Sequence, residues 1–217
     1  MNIVITGANR GIGLQLATQY SMHHDVFALC RQASSELKLL KNVQIIQNVE
    51  VRNEYDIDAA LKRCPTIDVL INNAGLLNRV SLDHWDSKSL VDQWQINALA
   101  PIMVARASLN QLKKGSKVVF ITSRMGSITD NTSGSHYAYR MSKAALNMGA
   151  TSFAIDVREK GIHVGIIHPG WVQTDMTGHT GNSTAEDAAT QIIDRIHELN
   201  ESNSGRFMHA SGELLPW

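Results

Sequence analysis

The sequence predicts an α/β fold: one domain, residues 1–217, built on a doubly wound, mostly parallel sheet with helices on both faces. Three observations lead there. Six short runs of β-branched and apolar residues alternate with longer stretches of helical periodicity, and strands buried on both faces read as such continuous apolar runs joined by helical crossovers. The 15 glycines concentrate at strand ends and turns, which suits a fold whose ligand lies beyond the carboxyl ends of its strands. With 43% hydrophobic and 18% charged residues, a chain of 217 residues can bury one sizeable core.

In chain order, strands are expected at Asn2 to Thr6, Asp25 to Leu29, Asn42 to Gln47, Ile67 to Ile71, Lys117 to Ile121 and Ile162 to Ile167. A helix opens after the first strand with Leu14, Leu16 and Ala17 as its apolar residues. Gln93 to Leu112 sets Ile96, Leu99, Ala100, Met103, Val104, Ala107 and Leu112 at helical spacing, and Ala138 to Lys160 does the same with Met141, Ala144, Ala145, Met148, Phe153 and Val157. Both read as long helices flanking the sheet. The polar stretch Thr177 to Glu186 reads as a loop and as the candidate mobile flap.

Composition excludes several functions. Twenty basic residues balance 20 acidic ones, whereas a protein that grips nucleic acid through counterion release carries a basic excess. Cys30 and Cys64 are too few and too far apart for a zinc site or a disulfide framework. They point to a reducing, cytoplasmic setting and to no metal centre. No stretch approaches the length of a membrane span, and the opening apolar run is too short for a signal peptide.

Thr6-Gly7-Ala8-Asn9-Arg10-Gly11-Ile12-Gly13 joins the first strand to the first helix. A turn free of β-carbons lets backbone N–H groups approach a pyrophosphate, and the helix N-terminus adds partial positive charge. In this βαβ context the motif marks a Rossmann-like dinucleotide site. An acid ending the second strand would bind the adenosine ribose and repel a 2′-phosphate. The residues there are Leu29-Cys30-Arg31, and Arg10 lies within the turn. Two guanidinium groups suit a phosphate monoester, so NADP(H) is expected over NAD(H).

Tyr139 and Lys143 stand four residues apart, on one face of a helix. An ammonium near a phenol favours phenolate and is expected to lower a pKa that otherwise lies near 10. Ser123, just past the fifth strand, is placed to orient a carbonyl oxygen, with Thr122 and Ser127 as rival hydroxyls. Tyr137 is a rival phenol without a lysine four residues on. His136 and His168 are assigned no role.

These residues resemble the short-chain dehydrogenase/reductase family. The resemblance rests on Thr6-Gly7-x-x-x-Gly11-x-Gly13, Asn72-Asn73-Ala74-Gly75, Asn97, Ser123, Tyr139-x-x-x-Lys143 and Pro169-Gly170-Trp171-Val172-Gln173-Thr174, in family order along the chain. Tyr137-Ala138-Tyr139-Arg140-Met141-Ser142-Lys143 and the terminal Gly212-Glu213-Leu214-Leu215-Pro216-Trp217 look like the carbonyl-reductase branch that includes the sniffer and C-factor proteins.

The resemblance implies hydride transfer between NADP(H) and a small-molecule carbonyl. Tyr139 would be the general acid, Ser123 would polarise the carbonyl, and Lys143 would hold the nicotinamide ribose. Asn97 would hold a water linking Lys143 to solvent. Gly7, Asn9, Arg10, Gly11, Ile12, Gly13, Arg31, Asn73, Ala74 and Gly75 would line the adenosine and pyrophosphate side. Pro169, Gly170, Val172 and Thr174 would secure the nicotinamide end. Family members commonly pair through the two long helices, implying a homodimer or homotetramer.

There are departures from the family pattern. The Ser123 to Tyr139 separation is longer than usual, with Thr129 to Ser135 holding the extra residues, and Glu50-Val51 replaces a common Asp-Val. The substrate-side loop, residues 175–185, is short, which predicts an open site and broad selectivity for aldehydes, ketones or quinones. Two other functions compete with this one: an NAD-dependent alcohol dehydrogenase, and a nucleotide-binding signalling protein of C-factor type.

Overall fold

The computed structural model describes all 217 residues, Met1–Trp217. Strands β1 (Asn2–Thr6), β2 (Asp25–Leu29), β3 (Val43–Ile46), β4 (Ile67–Asn72), β5 (Leu112–Ile121), β6 (His163–His168) and β7 (Phe207–His209) form one sheet in the order β3-β2-β1-β4-β5-β6-β7. Every neighbouring pair is parallel. The helices are α1 (Gly11–Ser21), α2 (Ser35–Leu39), α3 (Glu54–Leu61), α4 (Ser87–Trp94), α5 (Ala100–Ala107), α6 (Tyr137–Asp156) and α7 (Ala185–Glu198).

Side chains alternate along each strand, so each strand feeds two cores. Val4, Leu70 and Phe120 join Ile57 and Leu61 of α3, Val104 of α5 and Phe153 of α6 on one face. Ile3, Ile5 and Ile71 join Leu16 of α1, Leu37 of α2 and Ile192 of α7 on the other. Burial on both faces gives the doubly wound architecture that the continuous apolar strands require. None of the helices is long and apolar enough to cross a membrane.

The chain runs from β1 outward through β2 to β3, then returns to place β4 on the other side of β1. This reversal opens a crevice beyond the carboxyl ends of β1 and β4, where doubly wound sheets bind ligands. The Gly7–Gly13 turn leaves β1 there, and Asn73-Ala74-Gly75 leaves β4.

Two elements differ from the sequence expectation. The helix expected over Gln93 to Leu112 begins earlier, at Ser87 in α4, and ends at Ala107, while Leu112 opens β5. An apolar residue at a helix end fits either period, and pairing with Ile67 of β4 decides for strand. Between α4 and α5 lies a π turn, Gln95–Leu99, in which the Ala100 N–H donates to the Gln95 carbonyl. Pro101 follows at once. It has no N–H to donate to the Asn97 carbonyl four residues back, so the wider turn sits where the α-helical ladder is already interrupted. The other difference is β7, three residues in a polar neighbourhood that become a strand through pairing with β6.

Candidate active site

The nucleotide turn fits tightly against the strand beside it. Gly7 adopts φ +67°, and a Cβ there would lie 2.9 Å from the Ala74 Cα. A Cβ on Gly13 would run into the Gly7 carbonyl and the Asn73 amide. Asn73 braces the turn: its Nδ2 donates to the carbonyls of Thr6 (3.1 Å) and Gly7 (3.2 Å). Thr6 Oγ1 accepts from the backbone N–H groups of Asn73 and Ala74, both at 3.1 Å. Asn72, by contrast, is buried with neither amide atom paired.

Beyond the turn, Arg10 occupies the N-cap of α1 without a side-chain cap, and the first turn carries no acid. The opening N–H groups of α1 therefore meet no anionic or capping side chain of this chain, which fits a bound phosphate. Asn9 and Ile12 are half-buried in the same turn, and Arg31 is exposed in a bend after β2. Arg10 Nη1 lies 3.0 Å from Asp175 Oδ2. This pairing between residues far apart in the chain has no sequence signal.

At the chemical end, Ser123, Tyr139, Lys143 and Asn97 are all buried. Ser123 caps the short turn Arg124–Gly126, its Oγ accepting from the Met125 N–H at 3.1 Å, which leaves its own proton free to donate. Of the rival hydroxyls, Thr122 is committed elsewhere, whereas Ser127 caps a turn much as Ser123 does. Thr122 Oγ1 bonds Asn147 Oδ1 at 2.6 Å, and Ser127 Oγ accepts from the Asp130 N–H at 3.0 Å. Tyr137 packs its ring against Trp85, with centroids 5.8 Å apart.

Lys143 Nζ donates to the Ile121 carbonyl at 2.9 Å and sits 5.7 Å from the centre of the Tyr139 ring. Burial pulls the ammonium down to about 8. The phenol departs from the sequence expectation. Burial pushes Tyr139 up to about 12 against an opposing hydrogen bond from Ser123, so desolvation of the phenolate sets the direction that the nearby lysine was expected to set.

The Asn97 side chain is fully used. Its Oδ1 accepts from the Leu76 N–H at 2.7 Å, and its Nδ2 donates to the Leu76 carbonyl at 2.7 Å and to Ser142 Oγ at 3.0 Å. Asn97 thus ties the loop after β4 to α6.

The extra residues before Tyr139 form a loop in which Gly134, Ser135 and His136 all adopt left-handed φ, at +60°, +55° and +50°. Such backbone is costly for Ser and His and needs fixing by its surroundings. Arg140 supplies this from the first turn of α6, donating to the Gly134 carbonyl (3.0 Å) and to Ser133 Oγ (2.8 Å). The C-terminal segment closes the far side: Arg124 pairs with Glu213 at 3.2 Å, and the Thr129 N–H donates to the Trp217 carbonyl at 2.9 Å.

Following β6, Gly170 takes φ +91°, and a Cβ there would lie 3.2 Å from His209 Nε2. His168, just before Pro169, packs edge-on against His209, and burial pushes its imidazole down to about 3. The flap after Thr174 contains one short turn, Asp175–Thr177. Its base is tied by the Gln173 N–H to the Ser183 carbonyl (2.9 Å) and the Asn182 N–H to the Trp171 carbonyl (2.8 Å), with Val172 bridging Ser183.

A serine, tyrosine and lysine grouped at the carboxyl end of a doubly wound sheet, beside an anion-receptive glycine turn, define a dehydrogenase-type α/β oxidoreductase. The short chain dehydrogenase family model matches residues 1–185. The chain belongs to the short-chain dehydrogenase/reductase family. It is 44% identical over 154 residues to the C-signal of Myxococcus xanthus, covering 70% of this chain and 93% of that one. Its fold superimposes on the carbonyl reductase Sniffer of D. melanogaster with a TM-score of 0.91 and 31% identity, covering 100% and 99% of the two chains. The NADPH-bound carbonyl reductase from chicken fatty liver gives a TM-score of 0.89 with 30% identity over 100% and 98%.

Proposed function

We propose that this chain is an NADP(H)-dependent oxidoreductase that reduces aldehydes, ketones or quinones, with Tyr139 as the proton donor. The observation that carries this reading is the buried grouping of Ser123, Tyr139 and Lys143, with the neighbouring Thr122 hydroxyl turned away to Asn147. Its likeness to carbonyl reductases, one of them NADPH-bound, supports the substrate class and the cofactor. An arginine rather than an acid after β2 supports the phosphorylated form.

Bound at the α1 N-terminus and along the Asn73–Gly75 and Pro169–Thr174 segments, the cofactor supplies the hydride. The protein's residues hold and move the proton. With its phenol near 12, Tyr139 keeps its proton throughout the neutral range and presents it to the substrate oxygen. The Ser123 hydroxyl, beside the phenol, orients that oxygen. Burial reverses the usual near-equality of phenol and ammonium: Lys143, near 8, becomes the stronger acid. Asn97 keeps this arrangement in register by fixing Ser142, one residue before Lys143, to the loop after β4.

The test is NADPH oxidation by the purified protein across quinones, diketones, aldehydes and ketones, with Tyr139→Phe alongside. Loss of the acid should lower turnover by about 10²- to 10⁴-fold while cofactor binding persists. Equal turnover by the two proteins would sink the proposed acid. The C-signal likeness favours a second reading, a signalling protein whose output is cofactor occupancy. A Ser123→Ala/Tyr139→Phe protein that binds cofactor and keeps the full biological output would support it.

A further inference from the structure

Three consecutive residues after β6 cross the crevice beside the nucleotide turn. The Thr174 Cγ2 lies 3.3 Å from where a Cβ would stand on Gly11. Asp175 Oδ2 pairs with Arg10 Nη1 at 3.0 Å. The Met176 Cε lies 3.7 Å from where a Cβ would stand on Gly75. Gly11 follows β1 and Gly75 follows β4, the strands that flank the switch point. Residues 174–176 are therefore a strap spanning the two walls of the crevice, and its one ionic fastening is the Arg10–Asp175 pair.

That fastening uses Arg10, one of the two guanidinium groups the sequence offers to a 2′-phosphate, and the role of Asp175 rests on the NADP(H) reading proposed above. We propose that Asp175 is a selectivity residue that competes with the cofactor's 2′-phosphate for Arg10. Asp175 engages Arg10 through a single Nη1 contact, whereas a phosphate monoester offers more charge and bidentate geometry. The Arg10 and Asp175 side chains are 65% and 53% exposed, so their pairing is weak enough to be exchanged. The other Asp175 oxygen, Oδ1, lies 3.0 Å from His179 Nε2 and retains that contact when Arg10 is withdrawn. A cofactor without the 2′-phosphate offers Arg10 no such exchange and leaves the strap fastened. Asp175 thus weakens NADPH selectively.

Binding titrations of NADPH and NADH by isothermal calorimetry on the wild-type protein, Asp175→Asn, Arg10→Gln and the double variant test this. Asp175→Asn should tighten NADPH about two- to fivefold, the range of an exposed ion pair, and leave NADH unchanged. In the Arg10→Gln background the same substitution should shift neither cofactor. An unchanged or weakened NADPH affinity in Asp175→Asn, or equal shifts for both cofactors, overturns the competition. Asp175→Ser provides a second reading of the same exchange should the asparagine disturb the turn. Arg10→Gln that leaves the NADPH to NADH affinity ratio unaltered overturns the phosphate assignment itself, which separates the two failures.

Discussion

Lys143 is held where a charge is costly. Its Nζ has one protein acceptor, the Ile121 carbonyl, and burial lowers its pKa from an unfolded value near 10.5 to about 8. The folded state therefore carries the full desolvation cost below about pH 8. The cost shrinks as pH rises from 8 toward 10.5, because there the unfolded chain binds the proton and the folded one does not. Lys143→Met should stabilise the protein at pH 7 by about 2 kcal/mol, the ionisation cost less one lost hydrogen bond. Reductase turnover should be lost. Urea denaturation of both proteins at pH 7 and pH 10.5 checks the sign: the advantage should nearly vanish at the higher pH. A variant less stable than wild type at pH 7 would show that the lysine is held by favourable charge interactions instead.

Between elements, the distance from the Ser123 turn to α6 is set by a missing side chain. A Cβ on Gly126 would lie 2.7 Å from the Lys143 carbonyl carbon, 2.9 Å from its oxygen and 3.0 Å from the Ala144 nitrogen. These are backbone atoms in the middle of α6 and cannot swing aside. Gly126→Ala should push the Arg124–Gly126 turn outward and carry Ser123 away from Tyr139. The expected result is a fall in kcat on the order of 10- to 100-fold, the effect of roughly ångström misplacement of a reacting group. NADPH affinity should be unchanged, since the α1 turn is untouched. Steady-state kinetics together with a cofactor titration decide it, and a loss of NADPH binding equal to the loss of kcat would point to general unfolding.

The intact fold leaves one apolar face uncovered. A groove of about 220 Å³ between α4 and α6 is lined by Leu90, Val91, Trp94, Ala138, Met141 and Ser142, and Met148 and Ile155 continue the exposed apolar row along α6. Contiguous exposed apolar surface marks association. Pairing between subunits was expected through Gln93 to Leu112 and Ala138 to Lys160, and Trp94, Ala138, Met141 and Ser142 of this groove lie on them. Sedimentation should find a dimer or tetramer, and Met141→Lys should shift it to monomer without altering NADPH affinity. A wild-type protein that sediments only as monomer removes the assembly.

The strands, the glycine turn and the tyrosine–lysine pair were legible in the linear chain because each depends on neighbours a few residues away. Alternation, β-branching and a four-residue helical step are local properties, and they placed six of the strands, the glycine turn and the Tyr139–Lys143 step on one helix face. The end of the helix expected to reach Leu112 was not legible, because an apolar residue satisfies helix and strand alike until β4 pairs with it. Nor was β7, whose three residues are strand only beside β6. Arg10 could be assigned to a phosphate from its place in the turn. Its contact with Asp175 depends on two loops meeting over the crevice. The direction of the Tyr139 shift belongs to the same class. A lysine four residues away is a sequence fact that argues for a lower pKa, but the water excluded from the phenol is excluded by residues gathered from several elements. Desolvation depends on everything that surrounds a group, and only the folded chain supplies those surroundings.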